Sequence, residues 1–195
     1  RHQIDHTSRA PSLPSPRQLG DGIDPLPTAM GLFTGEVVLN PKPRSRTLMD
    51  AVRDDDRNLV TETLNGGESV TQTNAYLRTP LHKAAYYSGD RDVVASLIDR
   101  GADVNARDKG DWTPLHLATR NAHLGAMRAL LDAGAETQRV DAKHGWTPLH
   151  VACVAGHEDA ARMLVEAGAD VTVRDKSTAS AIDLMRESGM DPGRA

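Results

Sequence analysis

Apolar and polar residues alternate with a helical period in the second part of the chain. In the stretch LGAMRALLDAG (residues 124–134), apolar side chains stand at Leu124, Met127, Leu130 and Leu131. This spacing places them on one stripe of an α-helix with about 3.6 residues per turn. Shorter Leu/Ala-rich runs, such as PLHLATRN and PLHVACVA, occur before helical stretches of this kind. The pattern therefore predicts pairs of short helices separated by polar loops.

Two short words recur along the chain at a nearly constant interval. The word TPLH begins at Thr79, Thr113 and Thr147, which are 34 residues apart in both intervals. A Gly-Ala pair follows each threonine after 21 or 22 residues, within RGADV (100–104), AGAET (133–137) and AGADV (167–171). Repetition at such a period is the signature of a solenoid, in which stacked units share one core.

The recurring words have a local explanation in helix chemistry. A threonine hydroxyl can accept a hydrogen bond from an unpaired amide of the first turn, so Thr is a good N-cap. Proline suits the first helical position, where its missing N–H costs nothing. Gly101, Gly134 and Gly168 stand where a helix would end in a left-handed C-cap. Each copy thus predicts helix, turn, helix and an outstretched loop.

The extent of the repeats divides the chain into an N-terminal arm and a repeat domain. Residues 1–45 contain seven of the eleven prolines and little helical or strand periodicity, which predicts a mostly disordered arm. Pro11 and Pro14 have the spacing of a ligand for a proline-reading domain, but a solvated linker is the favoured interpretation. The repeat domain is predicted over residues 46–195. Its repeats are placed at about 46–78, 79–112, 113–146 and 147–179, with a terminal half repeat at 180–195.

The pattern TPLHxAxxxGHxxxxxxLLxxGADVNAxDxxGW resembles the ankyrin repeat over roughly residues 46–185. The resemblance implies an all-α solenoid of helix-turn-helix units with projecting β-hairpin loops. Three departures from the family pattern stand out. An extra residue near YYSG (86–89) is expected to distort the end of its helix, the loop 135–146 is one residue longer than its neighbours, and Ala122 replaces a turn glycine.

The repeated threonine and histidine raise the question of catalysis. A catalytic pair repeated along a solenoid would be unusual, whereas a repeated structural unit is expected, so we predict no catalytic residue. His150, Cys153 and His157 have ligand types that suit zinc, but each also has a structural interpretation in the repeat. The run Asp54–Asp56 is interpreted as a capped turn. We therefore predict that the chain is not an enzyme and has no cofactor or metal site.

Composition narrows the range of partners. The net charge is −4 and the pI about 6.1, which does not favour a nucleic-acid partner. Cys153 is the only cysteine, which is compatible with a reducing compartment. No apolar stretch approaches the length needed to cross a bilayer, so no membrane insertion is predicted. We expect a cytoplasmic protein, monomeric on its own, although a nuclear or secreted location is compatible with the sequence.

The positions that the repeat leaves variable predict a binding surface for another protein. The resemblance implies that loop tips and exposed sides of the first helices line one concave face. Aromatic residues with arginine are typical of interface hot spots. The loop tips carry basic and acidic residues in alternation, and such a mixed ladder does not favour a phosphate backbone as target. The predicted partner-binding residues are Lys83, Tyr86, Tyr87, Lys109, Trp112, Arg120, Asn121, Lys143, His144, Trp146 and Val154.

Three interpretations of the whole chain stay open at this point. The favoured one is a protein–protein interaction module, in other words a scaffold or adaptor. The chain could also be the substrate-recruiting or regulatory arm of a larger enzyme, or a secreted effector that uses the same surface. For Trp112 and Trp146, packing against the neighbouring loop is the alternative to partner contact. The identity of the partner does not follow from the fold, because many unrelated functions use it.

Overall fold

The computed structural model describes residues 46–187 and Gly189. The predicted arm at 1–45 lies outside these residues. The described chain consists of short helices joined by turns and loops. The helices are α1 (Leu48–Arg53), α2 (Arg57–Asn65), α3 (Pro80–Lys83), which continues as a π-helical turn (Ala84–Ser88), α4 (Arg91–Asp99), α5 (Pro114–Arg120), α6 (Leu124–Asp132), α7 (Pro148–Ala155), α8 (Glu158–Glu166) and α9 (Ala181–Glu187).

The helices form two rows that run along the solenoid. The first helices of successive units pack side by side, with α1 against α3, α3 against α5, α5 against α7, and α7 against α9. Among the second helices, α4 packs against α6 and α6 against α8. Leu81, Leu115 and Leu149 take equivalent positions in α3, α5 and α7, and each is fully buried. The core therefore runs between the rows, and each unit completes it with its neighbours.

Both ends of the helices follow the chemistry that the sequence predicts. Thr79, Thr113 and Thr147 are N-caps with proline at the next position. At the other end, Gly101 has a φ of 87°, which is the left-handed conformation that glycine adopts without strain. The N–H groups of Gly101 and Ala102 donate to the carbonyls of Ile98 and Leu97, which is a Schellman motif.

The loops between units differ from the β-hairpins that the resemblance implies. Within the described residues no strand forms, and the only ladder element is an isolated bridge between Arg174 and Ser180. Each loop instead closes across its turn with two backbone hydrogen bonds, for example from the N–H of Asp108 to the carbonyl of Trp112 and from the N–H of Asp111 to the carbonyl of Asp108, both at 2.9 Å. An aspartate side chain supplies the remaining acceptors for these tight turns, so few main-chain pairs are left for strand pairing.

Two predicted irregularities are present in the structure. The extra residue near YYSG is accommodated by the π-helical turn Ala84–Ser88, in which the N–H of Gly89 donates to the carbonyl of Ala84 five residues earlier. Ala122 has a φ of 54°, so a residue with a Cβ takes the left-handed conformation that glycine would adopt more easily. Both departures are therefore absorbed locally, and the stacking of the helices continues past them.

Candidate functional site

A threonine–histidine network connects each first helix to the next loop. In α5, the N–H and hydroxyl of Thr113 lie 3.2 and 2.9 Å from Nδ1 of His116. On the other side of the ring, Nε2 of His116 lies 3.1 Å from the carbonyl of Trp146 in the following loop. His82 makes the same bonds to Thr79 and to the carbonyl of Trp112. The histidine therefore sets the position of the loop relative to the helix.

This geometry determines the protonation state of the histidines. An amide N–H can only donate, so Nδ1 of His116 must accept and the ring proton must lie on Nε2. Burial lowers the pKa of His116 from its ordinary value of 6.5 to about 4, while the hydrogen bond to the Trp146 carbonyl acts in the opposite direction. Burial also lowers the pKa of His82 and of His150. The folded protein thus requires these rings to be neutral.

The histidine network predicts that the fold loses stability as the pH falls below about 6.5. The pKa of His116 is lower in the folded state than in the unfolded state, so the unfolded chain binds the proton first. The stability contributed by the neutral ring is complete above pH 6.5 and is lost as the pH falls towards about 4. The loss should be on the order of 1.4 kcal/mol per pH unit for a ring that is charged only in the unfolded chain. Urea unfolding between pH 7 and pH 5 measures this slope.

The control is a His116→Gln variant, whose amide can accept from Thr113 and donate to the Trp146 carbonyl without titrating. We expect its stability to depend less steeply on pH than that of the wild type over the same window. Asp50, Asp170, Asp175 and Asp183 have pKa values below 3.8, so they add little above pH 5. An unchanged slope in His116→Gln would contradict the assignment of a neutral ring.

The loop tips are joined to one another by a series of backbone hydrogen bonds. The N–H of Lys109 donates to the carbonyl of Tyr76, and the N–H of Ala142 donates to the carbonyl of Gly110. The N–H of Lys176 continues the series to the carbonyl of His144. These distances are 3.0, 2.9 and 2.9 Å. The tips consequently form one continuous surface rather than separate projections.

The acidic residues of the loop tips point inward, which differs from the mixed surface ladder that the sequence predicts. Asp108, Asp141 and Asp175 are only 6%, 2% and 8% exposed. Asp108 accepts from the N–H groups of Gly110 and Trp112, and Asp141 accepts from the N–H of Trp146 at 2.7 Å. Both carboxylates therefore accept from backbone N–H groups of their own turns and close them. The basic residues remain at the surface.

A pocket of about 350 Å³ lies where three loop tips meet α5. Four cationic side chains and two carboxylates line it, although the chain as a whole carries a net charge of −4. Pockets that bind small ligands have volumes of about 300–1,000 Å³, so this one suits a side chain or a short peptide segment. Its lining residues are Tyr76, Arg78, Asp108, Lys109, Gly110, Trp112, Leu117, Arg120, Asp141, Ala142, Lys143 and His144.

Arg120 occupies the α5 wall of the pocket. Its guanidinium carbon lies 6.0 Å from the ring centre of Tyr86 and 5.9 Å from that of Trp112. A cation at this distance from an aromatic face is attracted by the ring quadrupole. Within the described part of the chain, no carboxylate forms an ion pair with Arg120. Arg120 is therefore held by aromatic contacts, with hydrogen-bonding capacity left over.

The structure brings five of the predicted partner-binding residues into this pocket. They share an exposed or half-buried side chain close to a loop tip or to the end of α5. Lys109 and Lys143 are exposed, and Trp112, Arg120 and His144 are half-buried. The ring of His144 stacks on Trp146 with a centroid distance of 4.2 Å. The partner-binding role of these five residues stays a prediction, but their placement on one surface is observed.

The other predicted residues lie elsewhere. Lys83 in α3 and Trp146 in the loop before α7 are only 8% and 2% exposed. Because both side chains are buried, they are not part of the candidate surface. Asn121 uses its side-chain amide to donate to the carbonyl of Tyr86 at 2.6 Å. Val154 is half-buried against the core.

The two adjacent tyrosines, Tyr86 and Tyr87, differ in how far they are exposed to solvent. Tyr86 is half-buried against the core, whereas Tyr87 is 41% exposed beside it. Their rings meet edge to face with centroids 4.8 Å apart. Through Tyr86 this pair is continuous with Arg120, so Tyr87 extends the candidate surface beyond the pocket.

The sequence interpretation missed several of the pocket residues, among them Tyr76 and Arg78. Tyr76 is 39% exposed, and Arg78 donates from Nε to a carboxylate oxygen of Asp108 at 3.0 Å. Both belong to the loop of the first repeat, where Arg78 directly precedes TPLH and so stands at the same repeat position as Trp112, 34 residues later. That position was the available signal for Arg78, and for Tyr76 the signal was the interval of 33 residues to Lys109, which is close to the repeat length.

The zinc-type triad considered from the sequence has other partners. Nδ1 of His150 lies 2.8 Å from the hydroxyl of Thr147, and Nε2 of His157 lies 3.0 Å from the carbonyl of Arg120. Cys153 is fully buried, and burial raises the pKa of its thiol to about 12. Among the described residues, no group of three or more His, Cys, Asp or Glu side chains has the arrangement of a metal site. The described helices are also all too short or too polar to span a membrane.

Comparison with known families agrees with this architecture. A family model described as ankyrin repeats (3 copies) matches residues 48–141 and, in a second overlapping match, residues 89–175. Together the two matches cover residues 48–175, from the start of α1 into the loop between α8 and α9. A search of curated proteins finds no match.

Proposed function

Because the chain belongs to the ankyrin-repeat family, we propose that it binds a partner protein through the surface formed by its loop tips and first helices. Ankyrin repeats generally mediate protein–protein interaction, and their proteins are typically interaction modules rather than enzymes. Stacked repeats create extended surfaces that suit this role. We call this surface the front face and define it by Tyr76, Tyr87, Lys109, Trp112, Arg120 and Lys143.

The observation that carries the proposal is the pocket at the centre of the front face. Trp112 and Arg120 line it together, and such aromatic and arginine anchors dominate the energetics of many interfaces. Hydrogen bonds between consecutive loop tips hold the surface together, so little ordering is required when a partner binds. The expected cytoplasmic location and the monomeric state remain part of this proposal.

The opposite surface supplies a matched comparison. The second helix α8 exposes Glu158 and Glu166, and Arg162 reaches Glu158 at 3.5 Å. Exposed ion pairs of this type contribute little energy to stability or to binding. We therefore interpret α8 as a solvated back face.

A Tyr87→Ala, Arg120→Ala double variant is expected to lose partner binding. The variant removes an exposed ring and the guanidinium at the pocket wall, and truncation of good anchors costs about 2 kcal/mol or more, which corresponds to roughly a thirtyfold weaker affinity. Partners captured by the wild-type chain from a cell extract are first identified. The affinity of each purified partner for wild type and variant is then measured by calorimetry.

An Arg162→Ala, Glu166→Ala variant on the back face is the control. It changes the same number of side chains and should keep wild-type affinity. Circular dichroism must first show equal helicity for both variants, so that unfolding is not mistaken for lost contact. Loss of binding in the back variant together with full binding in the front variant would overturn the proposal.

A further inference from the structure

Three of the four cations of the pocket have unused binding capacity. In the two middle loop tips, an ion pair neutralises the first basic residue, since Arg107 reaches Asp111 at 3.0 Å and Arg139 reaches Glu136 at 2.7 Å. Lys109, Arg120 and Lys143 differ, because no carboxylate of the described residues lies within ion-pair distance of them. All three line the pocket.

The two carboxylates of the pocket do not satisfy these cations. Asp141 accepts from the N–H groups of Lys143, His144 and Trp146, and it is 2% exposed. Asp108 accepts from two backbone N–H groups and from Nε of Arg78. Both acids are thus engaged within the turns, and the accessible charge of the pocket is positive.

From this arrangement we propose that the pocket binds an acidic peptide segment of the partner, with a glutamate or aspartate carboxylate held by Arg120 between Lys109 and Lys143. The inference rests on the proposed protein-binding function and specifies the chemistry of the partner. A guanidinium presents two parallel N–H donors that match the two oxygens of a carboxylate. The faces of Tyr86 and Trp112 hold Arg120 in place, which reduces the entropy lost on binding.

The surroundings favour a peptide carboxylate over a nucleic acid. A phosphate backbone requires cations spread along a groove, whereas these three are confined to one pocket of about 350 Å³. Tyr76 and Trp112 add apolar walls that suit the methylene groups and backbone of a peptide. The chain as a whole has a net charge of −4, so it would repel a polyanion that extended beyond the pocket.

The two tryptophans allow a direct test by NMR with the full chain. The indole of Trp112 lines the pocket, whereas the indole N–H of Trp146 is buried and donates to Asp175 at 3.0 Å, so it serves as an internal reference. The probe is an octapeptide of glycine, serine and three glutamates with both ends blocked. The same peptide with glutamine at the three positions is the matched control peptide. We expect the glutamate peptide to shift the Trp112 indole signal and leave that of Trp146 in place.

Charge-removing variants complete the experiment. Arg120→Gln and Lys143→Gln should each lower the affinity for the glutamate peptide about tenfold or more, because each loses a hydrogen bond between charged groups. Arg162→Gln on α8 should bind as the wild type does. Rising salt should weaken the binding, because the carboxylate is held by partly exposed charges.

Several results would overturn the inference. An equal shift with the glutamine peptide would show that the pocket does not select a carboxylate, while partner binding at the front face could still hold in its own assay. Unchanged affinity in Arg120→Gln, no shift with any peptide, or tighter binding of a single-stranded oligonucleotide would each reject it as well. If the Trp112 indole signal shifts with rising protein concentration in the absence of peptide, a second copy of the chain occupies the pocket. That result would also reject the inference.

Discussion

Replacing Leu115 or Leu149 with alanine is expected to lower the free energy of unfolding by about 2–5 kcal/mol. Both side chains are fully buried between neighbouring first helices. Truncation removes the transfer free energy of the lost carbons and leaves a cavity that the stacked helices can only partly fill. Such a loss is a large part of the roughly 5–15 kcal/mol that stabilises an ordinary domain.

The effect should also extend beyond the altered unit. Stability in a solenoid is shared between nearest neighbours, so Leu115→Ala should reduce hydrogen-exchange protection in α3 and α7 as well as in α5. Urea unfolding gives the free energy, and exchange gives its distribution along the chain. Leu77→Ala is the matched control, because Leu77 is 49% exposed and its truncation should have a small effect. A near-neutral effect at both buried positions would mean that the assigned register is wrong.

The second large effect is expected at Trp146. Trp146→Ala should cost about 3–5 kcal/mol, since the side chain is 2% exposed and its indole N–H donates to Asp175 at 3.0 Å. Trp146→Phe retains most of the packing but removes the N–H. It should cost about 1–3 kcal/mol, because Asp175 then loses a buried donor. Urea unfolding of both variants separates the packing contribution from that of the hydrogen bond.

Trp112→Ala is the control for this comparison. The backbone of Trp112 makes the same bonds to its loop aspartate and to the preceding histidine as that of Trp146, and alanine keeps them. Only the half-buried ring is removed, so the loss of stability should be clearly smaller. Equal losses at both positions would contradict the structural role assigned to Trp146.

The repeat chemistry made much of the fold predictable from the sequence. Thr113 and Gly134 delimit their helix pair as expected, because capping depends on residues within one turn of the helix end. Ala122 and the YYSG stretch were identified by comparing copies, and both are irregular in the structure. Local rules and internal repetition together were sufficient for these features.

The candidate site was less predictable because exposure depends on the neighbouring loop. Trp112 and Trp146 stand in the same word, WTPLH, yet only Trp146 is buried. Oδ2 of Asp175 is available to the indole of Trp146, whereas Oδ2 of Asp141 already accepts from Lys143 and His144 in its longer loop. The sequence word cannot encode this difference, since it arises in the following unit.

The loop before α9 shows that a histidine contact also depends on the following unit. Ala179 takes the place that tryptophan occupies in the earlier loops. The Ala179 carbonyl lies close enough to His150 to act on its pKa, but Nε2 of His150 forms no hydrogen bond with any described residue. The contact between the histidine and the following loop is therefore weaker at this junction than at the two before it, where Nε2 of His82 and of His116 lies 3.1 Å from a tryptophan carbonyl.

The π-helical turn at Ala84–Ser88 bears on how such an array tolerates insertions. Its irregular geometry leaves the carbonyl of Tyr86 to accept from Asn121 at 2.6 Å and from His123 at 3.1 Å, both in the next unit. At the following junction, His157 alone donates to the carbonyl of Arg120. Gly89 leaves the space for this contact, because a Cβ there would meet the ring of His123 at 2.4 Å. The extra residue therefore adds a hydrogen-bonded contact between two units. An insertion that would otherwise shift every later repeat is confined to a single turn.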